Sequence, residues 1–200
     1  MSAPGQSSGM AKHYGVELVG GSVKESNGVL GGFAKNSFAR IRPKFKPGKE
    51  TFEVVIEFRT GKSLSGAAGL LSCSGQPGFV PFFLNANRMI GSISSNGKTW
   101  DVAATAQYGD ALLPQSSYRM RCTWNGSEYE WFVWDKASWR KVLGLRSTTP
   151  VFQESQLQLG NHRLGTAPFA GTIDLNKCYI CIGGSLWWEG AKGAYRNANK

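Results

Sequence analysis

The stretch TFEVVIEFRT, Thr51–Thr60, decides the fold. Phe52, Val54, Ile56 and Phe58 fall on one parity; Glu53, Val55, Glu57 and Arg59 fall on the other. A strand turns successive side chains to opposite faces, so this alternation predicts a β-strand with one face in a core and the other largely polar.

Moving outward, Ser37–Phe45 alternates in the same way. Arg40, Arg42, Lys44 and, one step on, Lys46 share one face, while Ala39, Ile41 and Phe45 share the other. Pro43 has no N–H to give to a ladder, so it predicts a sheet edge or the end of the strand there, and Pro47-Gly48 closes the segment. Tyr14–Val19 reads as an earlier strand stopped by Gly20-Gly21, and Asn27-Gly28 and Gly31-Gly32 mark turns. Downstream, Gly69–Cys73 and Val80–Asn85 read as buried strands. Arg88–Ser94 leads into Asn96-Gly97, a two-residue hairpin signal, from which Lys98–Ala103 returns. Tyr118–Trp124 and Tyr129–Trp134 flank Asn125-Gly126, a second hairpin. Lys141–Leu145, Leu157–Leu159 and Ile173–Ile182 complete the set. Roughly a dozen short strands, with no persistent helix, repeat or linker, predict one all-β sandwich or barrel.

Bulk composition agrees. The chain has 200 residues, 41% hydrophobic and 12% aromatic, enough for one self-sufficient core, and its 26 glycines suit many tight turns. The expected organisation is a flexible N-terminal tail over 1–12, a sandwich over 13–190 and a basic C-terminal tail over 191–200. Met1–Met10 lacks the apolar centre of a secretory signal, and the densest apolar run, Phe79–Leu84, is far too short to span a bilayer, so no membrane partner is expected. The formal charge of +10 favours solubility and anionic surfaces. No nucleic-acid-binding motif accompanies it, so nucleic acid is not an expected partner.

Cys178-Tyr-Ile-Cys181 has the spacing of a redox or zinc motif, but it lies in a β-type run. Residues three apart on a strand point to opposite faces, so the two thiols are not expected to bond to each other or share a metal. Cys73 and Cys122 complete the cysteines and follow no disulfide pattern.

Several motifs in order resemble concanavalin A-like lectin/glucanase domains of the laminin-G-like branch, over about Tyr14 to Gly190. They are Phe52–Thr60, Ser94–Trp100, Tyr118–Gly126 with Tyr129–Asp135, Leu157-Gln-Leu-Gly-Asn161 and Pro168-Phe-Ala-Gly-Thr-Ile-Asp174. The ending Cys178–Gly183 with Trp187-Trp188-Glu-Gly190 is similar to that of domains found in bacteriophage tail and other virion proteins. The resemblance implies a jelly-roll sandwich of two antiparallel sheets. It further implies a non-enzymatic virion surface protein, a head or tail decoration or adhesion domain that binds host-surface glycans or docks on the particle. Its partners would be capsid or tail proteins, a cell-surface glycan, or further copies in a homo-oligomer. A glucanase-type enzyme and a purely structural assembly protein stand as alternatives.

The residues disfavour catalysis. Glucanases of this fold resemble one another in carboxylates spaced along one strand, and retaining hydrolysis needs two carboxyl groups about 5 Å apart. Glu128 and Glu130 share a face without a third carboxylate, and Glu53 and Glu57 flank Val55 without an Asp between them. His13 and His162 stand in no nucleophile motif. Calcium sites of some laminin-G-like domains would correspond to residues such as Asp101, Asp110 and Asn161, but no spacing singles these out, so neither metal nor cofactor is expected.

Tryptophan is the more telling residue. An indole face can stack on the apolar face of a sugar ring while polar groups at its edge bind hydroxyls. Trp124, Trp131 and Trp134 fall within strands and are expected in the core. Trp100 follows a hairpin turn, Trp139 falls in an expected loop, and one of the adjacent Trp187 and Trp188 should face outward. Trp100, Trp139, Trp188 and Asn96 are therefore the candidate ligand-binding residues. Arg40, Arg42, Lys44 and Lys46 are the candidate partner-docking row, unless they only guard a sheet edge.

Overall fold

The computed structural model describes residues 10–11, 15–42, 44–74, 78–108, 110–150, 154–192 and 194–195. Its strands are β1 (Met10–Ala11), β2 (Val16–Val19), β3 (Lys24–Ser26), β4 (Val29–Gly31), β5 (Phe38–Ile41), β6 (Phe52–Arg59), β7 (Ala67–Cys73), β8 (Phe79–Asn85), β9 (Arg88–Ile93) and β10 (Ala103–Tyr108). They continue with β11 (Ser117–Trp124), β12 (Glu128–Asp135), β13 (Ser138–Arg146), β14 (Leu157–Leu159), β15 (Thr172–Asp174), β16 (Tyr179–Ile182), β17 (Ser185–Glu189) and β18 (Ala194–Tyr195). One sheet runs β1-β2-β5-β14-β7-β8-β9-β10. The other runs β13-β12-β11-β6-β15-β4-β3, with β16, β17 and β18 joined through β6. Neighbouring strands pair antiparallel throughout, which makes the chain a concanavalin A-like jelly-roll sandwich. No helix among the described residues is long and apolar enough to cross a membrane.

The β6 alternation does what its sequence predicts. Phe52, Val54, Ile56 and Phe58 are all buried between the sheets. Phe52 meets Phe79 of the opposite sheet edge to face at 5.2 Å, and Phe45 stacks on Phe79 at 5.1 Å. Each such ring contributes about 1.5–3 kcal/mol by leaving water. Val55 is also buried although it points away from this core; in register it sits between Arg121 on β11 and Tyr179 on β16.

β6 is flanked on one side by β11 and on the other by two strands end to end. β15 pairs with Phe58 and Arg59, and β16 pairs with Phe52–Val55. A 3-10 turn, Leu175–Lys177, interrupts them, and Asp174 caps it by accepting from the Asn176 N–H. Cys178 fills the break. Its buried thiol accepts the Glu57 N–H at 3.4 Å and donates to the Asp174 carbonyl at 3.1 Å, so backbone groups that lose ladder partners still have one. Cys181 lies on the other face, half-buried, and both thiols are free.

The strand end predicted at Pro43 is observed, since β5 stops at Ile41; the sheet-edge alternative is not, since β5 lies between β2 and β14, and Pro43 itself is outside the described residues. Asn96-Gly97 is not a two-residue hairpin. β9 ends at Ile93 and β10 begins at Ala103, because Asn96 Oδ1 accepts the N–H groups of Lys98 and Thr99 and folds a wider loop. Within the segments read as tails, β1 pairs with β2 and β18 with β17, and a 3-10 turn covers Gly190–Lys192; residues 1–9, 12, 193 and 196–200 lie outside the described residues.

Candidate functional site

The outward face of the second sheet carries aromatic and charged side chains in neighbouring rows. On β11, Met120, Cys122 and Trp124 point into the core, which leaves Arg119, Arg121 and Thr123 outside. On β12, Tyr129 and Trp131 are fully buried, which leaves Glu128, Glu130, Phe132 and Trp134 outside. The β12–β13 register sets Trp134 directly opposite Trp139. Their rings meet edge to face, with centroids 5.2 Å apart and planes at 76°.

Arginines lie against these rings. The Arg119 guanidinium is 5.6 Å from the Trp134 ring centroid and 5.5 Å from that of Trp139. Arg121 is 4.1 Å from Phe132 and 4.7 Å from Trp139, and it reaches Glu53 Oε2 at 3.5 Å. Stacked arginines hold indoles in place at about 0.5–1 kcal/mol each in exposed sites. Trp134 nevertheless remains 41% exposed. The Tyr179 hydroxyl donates to Glu53 Oε1 at 2.6 Å; burial, then this bond and the carboxylate charge, push its pKa up, so it stays a donor. The result is a rigid aromatic platform edged by hydrogen-bonding groups.

The carboxylates weighed as catalytic are all engaged. Glu128 and Glu130 both meet Lys141 Nζ, at 2.9 and 2.7 Å, and their hydrogen bonds raise the Lys141 pKa. Glu57 is held by Lys177. The side-chain amide of Asn161 is likewise occupied: fully buried, it donates to the carbonyls of Ala34 and Ser37 and accepts from the N–H groups of His162 and Ala167. Asp110 pairs with Arg140 at 3.0 Å, and Ser95 holds Asp101. Among the described residues no three His, Cys, Asp or Glu side chains are grouped to hold a metal ion.

The candidate ligand residues separate. Trp139 belongs to the platform, though it lies in β13 and not in a loop. Trp188 is 1% exposed and Trp187 8%, so Trp188 is withdrawn as a ligand residue. Strict alternation fails there because the β16–β17 ladder pairs Cys181 with Leu186 and Ile180 with Trp188, leaving Trp187 as a bulged extra residue. Trp100 is half-buried with Arg163 at 5.9 Å from its ring centroid, and Asn96 bonds its own loop. Trp134 was assigned to the core; it is an exposed member of the platform. Its parity could have shown this, since it shares a face with Glu128 and Glu130 and opposes the buried Tyr129 and Trp131.

The basic row is largely neutralised. Arg40 and Arg42 both bond Glu17 Oε2, at 3.2 and 3.1 Å, and Lys44 meets Glu154 at 3.5 Å. Lys46 is exposed.

No family model matches the sequence, and no curated protein matches it. In structure the chain is similar to Trypanosoma rangeli sialidase in complex with 2,3-difluorosialic acid, with a TM-score of 0.59 and 13% identity over 91% of this chain. It spans only 28% of that sialidase. It is also similar to a protein of unknown function from Shewanella oneidensis MR-1, with a TM-score of 0.50 and 14% identity over 86% of this chain and 80% of that one. A carbohydrate-binding module from Bacillus subtilis aligns with a TM-score of 0.48 and 14% identity, over 86% of this chain and 98% of that one. What the likenesses to the sialidase and to the Shewanella protein show is the fold alone, a β-sandwich.

Proposed function

We propose that the chain is a non-catalytic glycan-binding sandwich, displayed on a virus particle as a head or tail surface domain, and that it binds sugar through the Trp134–Trp139 platform. The exposed indole of Trp134, braced edge to face by Trp139 and backed by Arg119, carries the reading. A pre-set aromatic surface binds a pyranose without first ordering a side chain, and arginines beside it supply donors for hydroxyl or carboxylate groups. The virion setting is supported by the resemblance of the Cys178–Gly190 segment to phage domains. The absence of catalysis is supported by Lys141, which ties up Glu128 and Glu130 together.

The experiment is a polysaccharide panel read by intrinsic tryptophan fluorescence, with Trp134→Ala and Trp139→Ala beside the wild type and a reducing-sugar assay on every polysaccharide. We expect at least one polysaccharide to bind, binding to collapse in both variants, and no reducing ends to appear. A panel without binders, or binding untouched in Trp134→Ala, would remove the platform from the argument. New reducing ends would make the chain an enzyme.

A further inference from the structure

A second recess opens where β6 leaves the sheet. It is a cleft of about 320 Å³ whose side-chain lining includes Arg59, Lys62, Gln115, Phe33 and Phe169. We infer that this cleft is a separate binding site for an acidic sugar unit, with the carboxylate on Arg59 and Lys62 and the ring over Phe33.

Four observations carry the inference. First, no acidic residue lines the cleft, and neither Arg59 nor Lys62 is in an ion pair among the described residues, although both are exposed. Elsewhere Glu17, Glu53, Glu57, Glu128, Glu130 and Glu154 each hold a cation. Second, the floor is aromatic: Phe33, half-buried, lies 6.4 Å from the buried Phe169 ring. A volume of this size falls at the small end of ligand pockets, about 300–1,000 Å³.

Third, the walls are fixed. A side chain at Gly61 would overlap the Ala170 carbonyl, and one at Gly171 would overlap the Arg59 carbonyl, so the two backbones meet with no space between them. Thr60, buried, donates to the Leu113 carbonyl at 2.7 Å and accepts the Ser116 N–H at 2.9 Å, which pins the third wall. Fourth, that pinned loop holds Gln115 in the left-handed region, at φ 52°, where glycine or asparagine is the easy choice. A strained residue whose polar side chain lines a cleft suggests that the side chain has a use there. An amide lining the same cleft as two cations can bond a sugar hydroxyl.

The test is titration calorimetry or ligand-observed NMR with D-glucuronate, D-glucose and acetate. Glucuronate should bind more tightly than either, because only it joins a ring to a charge. The Arg59→Ala/Lys62→Ala double variant should weaken glucuronate about tenfold or more, since charge-assisted hydrogen bonds are the strong ones. Gln115→Gly should raise the melting temperature while weakening glucuronate. Acetate binding as tightly as glucuronate would reduce the cleft to a general anion site, and glucose binding as tightly would remove the role of charge. No glucuronate binding, or full binding in the double variant, would overturn the proposal. Glucuronate binding that survives in the double variant and is lost in Trp134→Ala would place the acidic sugar on the platform.

Discussion

Trp134 and Trp139 face each other across a two-residue hairpin turn, and the turn is made of the wrong residues for its shape. Asp135 pairs with Ser138, and Lys136 and Ala137 between them both have positive φ, 44° and 77°. That conformation matches the twist of the two strands and favours Asn-Gly. A left-handed non-glycine residue costs about 1–2 kcal/mol.

Ala137→Gly should therefore stabilise the chain by about 1 kcal/mol once the extra freedom of the unfolded glycine is subtracted. The midpoint of denaturant unfolding should rise with an unchanged slope. A lower midpoint would mean that the turn is not strained at this residue.

Cys178 gives a second prediction. Its thiol serves the Glu57 N–H and the Asp174 carbonyl together, inside the core. Cys178→Ala should cost about 1–3 kcal/mol, the usual penalty of leaving a buried polar group unmet. Burial pushes this thiol up to about 12, so it should resist alkylation in the native chain, while the half-buried Cys181 reacts first. Peptide mapping after a brief iodoacetamide pulse reads the order, and a non-reduced digest should show no Cys178–Cys181 bridge. Cys178 labelling as fast as Cys181 would contradict the buried geometry.

The strands were legible where one rule governed them. β6, β11 and β12 follow plain alternation, so their ends fall within a residue or two of expectation. Asn27-Gly28 also forms the expected turn, with both residues at positive φ. The sequence misled where a local competitor intervened: the Asn96 side chain widening a loop, the bulge at Trp187, and the unsignalled turn at Lys136-Ala137. Of the candidate ligand residues, Trp139 alone belongs to the platform, and it took register to bring Trp139 beside Trp134. The Arg59 cleft was invisible, because its walls come from stretches far apart in the chain.

His162 links stability to pH. Burial, then the nearby Arg163 charge, lowers its pKa in the folded chain, and its ring meets Phe83 edge to face at 5.3 Å. The unfolded chain then binds the proton more readily, beginning near its ordinary value of about 6.5. Stability should fall as pH drops below that value and level off once the folded histidine is also protonated. His162→Gln should flatten this decline. A variant whose stability still falls as steeply between pH 6.5 and 5, taken as rough bounds on the histidine window, would assign the effect to other groups.

The last prediction concerns the basic row. Arg40, Arg42, Lys44 and Lys46 read in the sequence as a docking row or as the guard of a sheet edge. β5 is instead an inner strand, and Glu17 on the neighbouring β2 holds both Arg40 and Arg42 through one oxygen. The Glu17 side chain is only 13% exposed, so its charge is poorly screened by water. Wild-type stability should therefore decline slightly as salt rises and screens this attraction. Glu17→Gln removes the clamp and leaves two guanidinium groups side by side. It should cost about 1 kcal/mol, at the upper end for pairs that are partly exposed. The sign of the salt response should also reverse, because screening then relieves repulsion. That reversal separates the clamp from simple packing: a neutral Gln that merely fits badly would lower stability equally at all ionic strengths. It also bears on docking. Clamped arginines offer an anionic partner little charge, so replacing Arg40, Arg42 and Lys44 with Ser should weaken attachment to a particle or glycan far less than Trp134→Ala does. Attachment lost in the triple variant and kept in Trp134→Ala would move the binding surface from the platform to this strand.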